Sequence, residues 1–157
     1  MSASSVKATG WAKSFPISGG IQASRRWVRS HLDTLGWNQW APDLADSVEL
    51  TVSELVTNAH LHAHSNAQLV LVWDNHCLDV SVHDASPELP EARPLDGVSL
   101  GGRGIVLVDA LADAWNAHPQ ASGKTVTASF RGPRVLRCEP PCPTTRQKRP
   151  PGRDPEC

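Results

Sequence analysis

The sequence predicts an α/β (α+β) fold: a two-layer sandwich in which a mixed, largely antiparallel sheet is covered on one face by helices. Three observations carry this. Two long stretches repeat their apolar residues at helical spacing, two later pairs of segments read as strands joined by turns, and a shorter helix separates those pairs. A chain of 157 residues is about one domain long, enough to bury roughly two thirds of its unfolded surface in a single core.

Trp11–Ile17 suits an edge strand at the front. From Ile21 to Gly36, the residues Ile21, Ser24, Val28, Leu32 and Leu35 recur at helical spacing, and Gly36 supplies the stop. A second helix starts near Pro42, with Asp43 and Asp46 suited to the positive end of its dipole. It carries Leu44, Val48, Val52, Leu55, Val56, Ala59 and Ala63 along one stripe and closes at about His64. Ala67–Trp73 and Cys77–Asp84 read as an antiparallel hairpin around the turn-forming Asp74-Asn75-His76. The prolines between Ala85 and Leu100 interrupt both periodicities, so a long loop is expected there, and loops of that length inside a domain are usually functional. A third helix follows from Arg103 to about Ala112, and a second hairpin pairs Ala114–His118 with Lys124–Phe130 through a turn at Gly123.

Residues 1–131 hold nine Lys/Arg against thirteen Asp/Glu, whereas 132–157 hold six against three together with seven of the thirteen prolines. This divides the chain into a folded body, 1–131, and a basic, Pro-rich tail, 132–157, expected to be disordered. The acidic body argues against a general nucleic-acid binder. No apolar run approaches the ~18 residues needed to span a bilayer, and no charged-then-apolar leader is visible, so a soluble cytoplasmic protein without membrane contact is expected. Cys77 falls in a strand, and Cys138, Cys142 and Cys157 in the tail, which is not an evenly spaced disulfide framework; free thiols are expected.

Glu54 and Asn58 lie one helical turn apart, to the side of the apolar stripe, with His62 a further turn on. An amide oxygen suits Mg²⁺, and a carboxylate beside it can orient or deprotonate a hydroxyl, although most such pairs on helix flanks are merely solvated. Asp84 ends a strand just before the long loop, where a carboxylate can accept a hydrogen bond from a base amino group or simply cap a turn. Gly101-Gly102-Arg103-Gly104 opens the third helix and offers free N–H groups at the positive end of a dipole, a phosphate cradle that lacks the Lys-Ser/Thr of a P-loop and the βαβ context of a dinucleotide fold. His60 and His64 stand one turn apart near a helix end with no third ligand placed beside them, and Cys138-x-x-x-Cys142 lacks zinc-ribbon spacing, so neither is expected to hold a metal.

Taken in order, these segments resemble the GHKL (histidine-kinase-like) ATPases, and most closely the anti-sigma-factor serine/threonine kinases. Glu54-Leu55-Val56-Thr57-Asn58-Ala59-His60-Leu61-His62 looks like the N box, Glu-x-x-x-Asn-Ala-x-x-His. Asp84-Ala85-Ser86 stands where the family has Asp-x-Gly; Gly102-Arg103-Gly104 and the helix after it resemble the second glycine box, and Gly123-Lys124-Thr125 the closing Gly-x-Thr. The resemblance covers about 20–130. It implies the GHKL sandwich with ATP between helices and sheet: Asn58 on Mg²⁺, Glu54 as general base, Asp84 on the adenine amino group, and Thr125 near both Asp84 and the base. His62 would complete the N box, Gly101, Gly102, Arg103 and Gly104 would wrap the phosphates, and 85–100 would be the ATP lid. Ser86 replaces the family's glycine, so its backbone lacks that residue's freedom at positive φ, while its hydroxyl could reach the base through water.

Two functions follow from this resemblance. The first is a kinase that binds ATP·Mg²⁺, phosphorylates a small antagonist protein and sequesters a sigma factor. The second is a nucleotide-sensing regulatory module without phosphoryl transfer. ATP and a regulatory protein are the implied partners, with a homodimer as a further option; a sensor histidine kinase is disfavoured because neither a membrane span nor a dimerisation helix is visible.

Overall fold

A computed structural model describes residues 8–86 and 100–133. Most of the expected lid and nearly all of the tail therefore lie outside the described residues. The elements run β1 (Thr9–Phe15), α1 (Gly20–Thr34), α2 (Trp37–Trp40), α3 (Pro42–His62), β2 (Ala67–Trp73), β3 (Cys77–Asp84), α4 (Leu100–Leu111), β4 (Ala114–Gln120) and β5 (Gly123–Arg131). The strands form one sheet in the order β1-β2-β3-β5-β4. Every pairing among the described strands is antiparallel, as expected of two hairpins set side by side.

Strand alternation sorts the side chains onto two faces. Leu69 and Leu71 of β2, Leu78, Val80 and Val82 of β3, and Val126, Ala128 and Phe130 of β5 turn toward the helices and are buried. Helix α3 meets them with Val48, Val52, Leu55, Val56 and Ala59, while α1 adds Val28 and Leu32, and α4 adds Ile105 and Val108. The opposite face of β3 and β5 is polar and hydrogen-bonded between the two strands. Ser81 and Thr127 share a bond of 2.8 Å, His83 Nδ1 lies 3.2 Å from Thr125 Oγ1, and Ser129 Oγ donates to Asp79. Burial pushes the Asp79 carboxyl above its ordinary range, partly countered by the Ser129 bond.

Local chemistry sets the boundaries. β1 begins two residues ahead of the expected strand and ends at Phe15, because Pro16 has no N–H to give the ladder. Gly36, at φ 80°, closes α1 and opens α2, a short helix that the sequence pattern did not reveal. Its Trp37 is buried and packs edge-on against Trp73 at 5.4 Å. Asp74 Oδ1 accepts from the N–H groups of His76 (2.9 Å) and Cys77 (2.7 Å), an Asx turn that folds the β2–β3 hairpin with Asn75 at φ 69°. Helix α4 begins at Leu100 rather than Arg103, which draws the glycines into its first turn.

The expectation of free thiols fails at Cys77, which is disulfide-bonded; its partner lies outside the described residues. Spacing along the chain hid this. Cys77 opens β3 directly opposite Arg131, the last residue of β5, and the three other cysteines all follow Arg131 in the sequence. No helix among the described residues is long and apolar enough to cross a membrane.

Candidate functional site

Helix α3 crosses the sheet between α1 and α4. On one flank, Glu49 and Asp46 receive α1: Arg29 reaches Glu49 at 2.6 Å and Asp46 at 3.0 Å, and Arg25 reaches Glu49 at 3.3 Å. Glu54 and Asn58 fall on the other flank of the apolar stripe, the side given to α4. Both are half-buried, and no hydrogen bond engages the Glu54 carboxylate or the Asn58 amide among the described residues. A carboxylate and an amide oxygen one turn apart, neither hydrogen-bonded among the described residues, therefore stand on this flank of α3. His62 is the last residue of α3, two turns beyond Glu54, and only its backbone is described.

Asp84 ends β3 on the helix-facing side, following Val80 and Val82, and is 3 % exposed. Its Oδ1 accepts from the backbone N–H of Ser86 at 2.8 Å. The same carboxylate takes the ammonium of Lys124, which lies 3.1 Å from Oδ1 and 3.1 Å from Oδ2 and is itself 5 % exposed. The Lys124 ammonium also stands 3.5 Å from the Ser86 carbonyl oxygen. A buried carboxylate at the strand end is thus matched by a buried cation, each satisfying a charge that would be costly to leave alone.

Gly123 makes this approach possible. At φ 138°, a Cβ there would sit 1.9 Å from the Asp84 carbonyl oxygen, so only glycine lets β5 start so close to the end of β3. The strand register then brings Lys124 opposite Asp84 and Thr125 opposite His83. Thr125 consequently turns to the polar sheet face and bonds His83, so the structure does not bring its side chain to Asp84. The residue that does arrive there is Lys124. Its place was legible all the same: Lys124 alternates with Val126, Ala128 and Phe130, the buried set, whereas Thr125 alternates with Thr127 and Ser129.

Gly101, Gly102, Arg103 and Gly104 occupy the first turn of α4, on the helix that packs against the Glu54–Asn58 flank. Their N–H groups belong to the end of a helix that attracts anions; nothing is described of the Arg103 side chain.

The helix that carries the carboxylate and amide thus packs on both β3, which ends in a second carboxylate, and α4, which opens on glycines. The family model for the histidine kinase-like ATPase domain matches residues 20–130, which spans every one of these groups. The chain belongs to that family. No curated protein matches it. The fold of the ATPase domain, a helix-covered antiparallel sheet, agrees with the membership, and ATP binding is the property that the family brings. The residues present fit a magnesium nucleotide. Mg²⁺ takes one or two hard protein oxygens and completes its shell with phosphate oxygens and water, and Asn58 with Glu54 nearby supplies such oxygens. No cluster of three His, Cys, Asp or Glu that could hold a metal by itself is found among the described residues.

Proposed function

We propose that this ATPase domain is an ATP·Mg²⁺-dependent serine/threonine protein kinase of the anti-sigma-factor type, which regulates a partner, a sigma factor or its antagonist, by phosphorylation and sequestration. The observation that carries the reading is the Glu54–Asn58 pair: a carboxylate and an amide one turn apart, without a hydrogen-bond partner among the described residues, on the flank of α3 that faces the glycine-opened helix α4. Asn58 would hold the metal, which when bound neutralises phosphate charge. Gly101, Gly102 and Gly104 would direct backbone N–H groups at the phosphates, and Asp84 would accept from the base.

Glu54 would accept the proton of the acceptor hydroxyl as its oxygen attacks the γ-phosphorus and ADP leaves. A protein acceptor suits the surroundings. Leu50 and Leu61, one turn before Glu54 and two turns after it, are 41 % and 57 % exposed, and apolar side chains left bare on a helix beside a reactive carboxylate favour a macromolecular partner over solvent.

The test is to recover the partner by co-purification with the tagged protein, identify it by mass spectrometry, and follow transfer of the γ-phosphoryl group from ATP to it. The kinase reading expects a phosphoserine or phosphothreonine on the partner, lost with Glu54→Ala. Partner binding with ATP bound but no transfer would make the protein a nucleotide-dependent binding module instead.

A further inference from the structure

Lys124 is a buried cation placed on the carboxylate that would read the nucleobase, and phosphoryl transfer gives it no task. We propose that Lys124 is a specificity-determining residue, and that the Asp84–Lys124 pair admits 6-oxopurine as well as 6-aminopurine nucleoside triphosphates. The inference rests on the nucleotide-binding reading of this site and names its substrate class.

A carboxylate standing alone offers a base only acceptors. It suits the amino group at position 6 of adenine and repels the carbonyl oxygen that guanine and hypoxanthine carry there. Here the acceptor has a donor within 3.1 Å on the same buried face. Asp84 Oδ1 is engaged twice, by the Ser86 N–H and by Lys124, whereas Oδ2 receives Lys124 alone among the described residues and keeps a lone pair for a ligand. The third direction of the ammonium points toward the Ser86 carbonyl oxygen at 3.5 Å, the limit of a hydrogen bond and the first contact to be exchanged for a better one.

The pair therefore presents one acceptor and one donor side by side. Adenine has a donor at position 6 and an acceptor at N1, so its amino group meets Asp84 and its N1 meets Lys124. A 6-oxopurine carries the same two functions in the reverse order, so with the base turned over its O6 would meet Lys124 and its N1–H would meet Asp84. Either edge leaves both buried charges satisfied, whereas without the lysine the O6 of a 6-oxopurine would find no donor.

Calorimetry with ATP and with ITP, each with Mg²⁺, on the wild type, Lys124→Met and Lys124→Arg decides the matter, with thermal melts run in parallel. The wild type is expected to bind ITP within about tenfold of ATP, and Lys124→Met to lose ITP by about 10–100-fold more than it loses ATP. Lys124→Arg, which keeps a donor, should retain the wild-type preference. Wild-type protein that binds ATP yet discriminates against ITP by well over a hundredfold overturns the inference and leaves ATP binding standing. So does a Lys124→Met protein weakened equally toward both nucleotides, which would make the pair purely structural. Folded wild type that binds neither nucleotide removes the underlying reading as well. Should Lys124→Met fail to fold, the wild-type ratio decides by itself.

Discussion

Glu54 and Asn58 sit one turn apart, and the proposed function gives them different tasks, so their removal should separate. Asn58→Ala deletes the amide oxygen assigned to Mg²⁺ and should abolish metal-dependent nucleotide binding, since a metal with so few protein ligands depends on each. Glu54→Ala should leave nucleotide affinity nearly intact while transfer to the partner falls on the order of 10²–10⁴-fold, the usual loss for a general base; unchanged transfer would remove Glu54 from the chemistry. Asp84 is a different case. Because Lys124 is buried against it, Asp84→Asn strands a cation and should destabilise the fold by about 3–5 kcal/mol, readable by urea denaturation. A loss of nucleotide binding by that variant is therefore interpretable only beside its unfolding curve.

At the scale of elements, the helices and strands were largely readable because the core repeats at two clean periods, with Val48, Val52, Leu55 and Ala59 on α3 and Leu78, Val80 and Val82 on β3. What escaped was set by contacts distant in sequence. Helix α2 exists because Trp37 finds Trp73, thirty-six positions on, and Lys124 faces Asp84 only through the β3–β5 register. Glu54, Asn58, Asp84 and the glycines stand out in the sequence as residue types, but the side on which β5 presents its residues follows only from strand parity, which puts Lys124 rather than Thr125 beside Asp84.

The joint between β1 and α1 carries a pH signature. His31 lies between Trp11, stacked at 4.4 Å, and Trp27, edge-on at 4.6 Å, and burial holds its pKa below the ordinary 6.5. The folded protein thus favours neutral imidazole. Between the lowered folded value and 6.5 the unfolded chain binds more protons, so the stabilisation is complete above pH 6.5 and is lost as the pH falls below it. Thermal melts from pH 7.5 to 5.5 should show a decline that His31→Phe reduces, whereas equal declines in the two proteins would place the acid sensitivity elsewhere.

For the molecule as a whole, the disulfide at Cys77 joins the first residue of β3 to chain outside the described body, which the spacing of the four cysteines did not suggest. Alkylation of the unfolded, unreduced protein should leave Cys77 unlabelled, and reduction should expose it; mass spectrometry of the Cys77 peptide reads both states. Labelling before reduction would contradict the pairing. The central claim remains that α3, the end of β3 and the first turn of α4 together hold a magnesium nucleotide. Titration of ATP into the protein in Mg²⁺ and in EDTA, for the wild type and Asn58→Ala, tests it most directly. Wild-type binding should fall in the low-micromolar to sub-millimolar range, need Mg²⁺ and disappear in the variant. Equal affinity in the two proteins, or no binding by folded wild type, would contradict it.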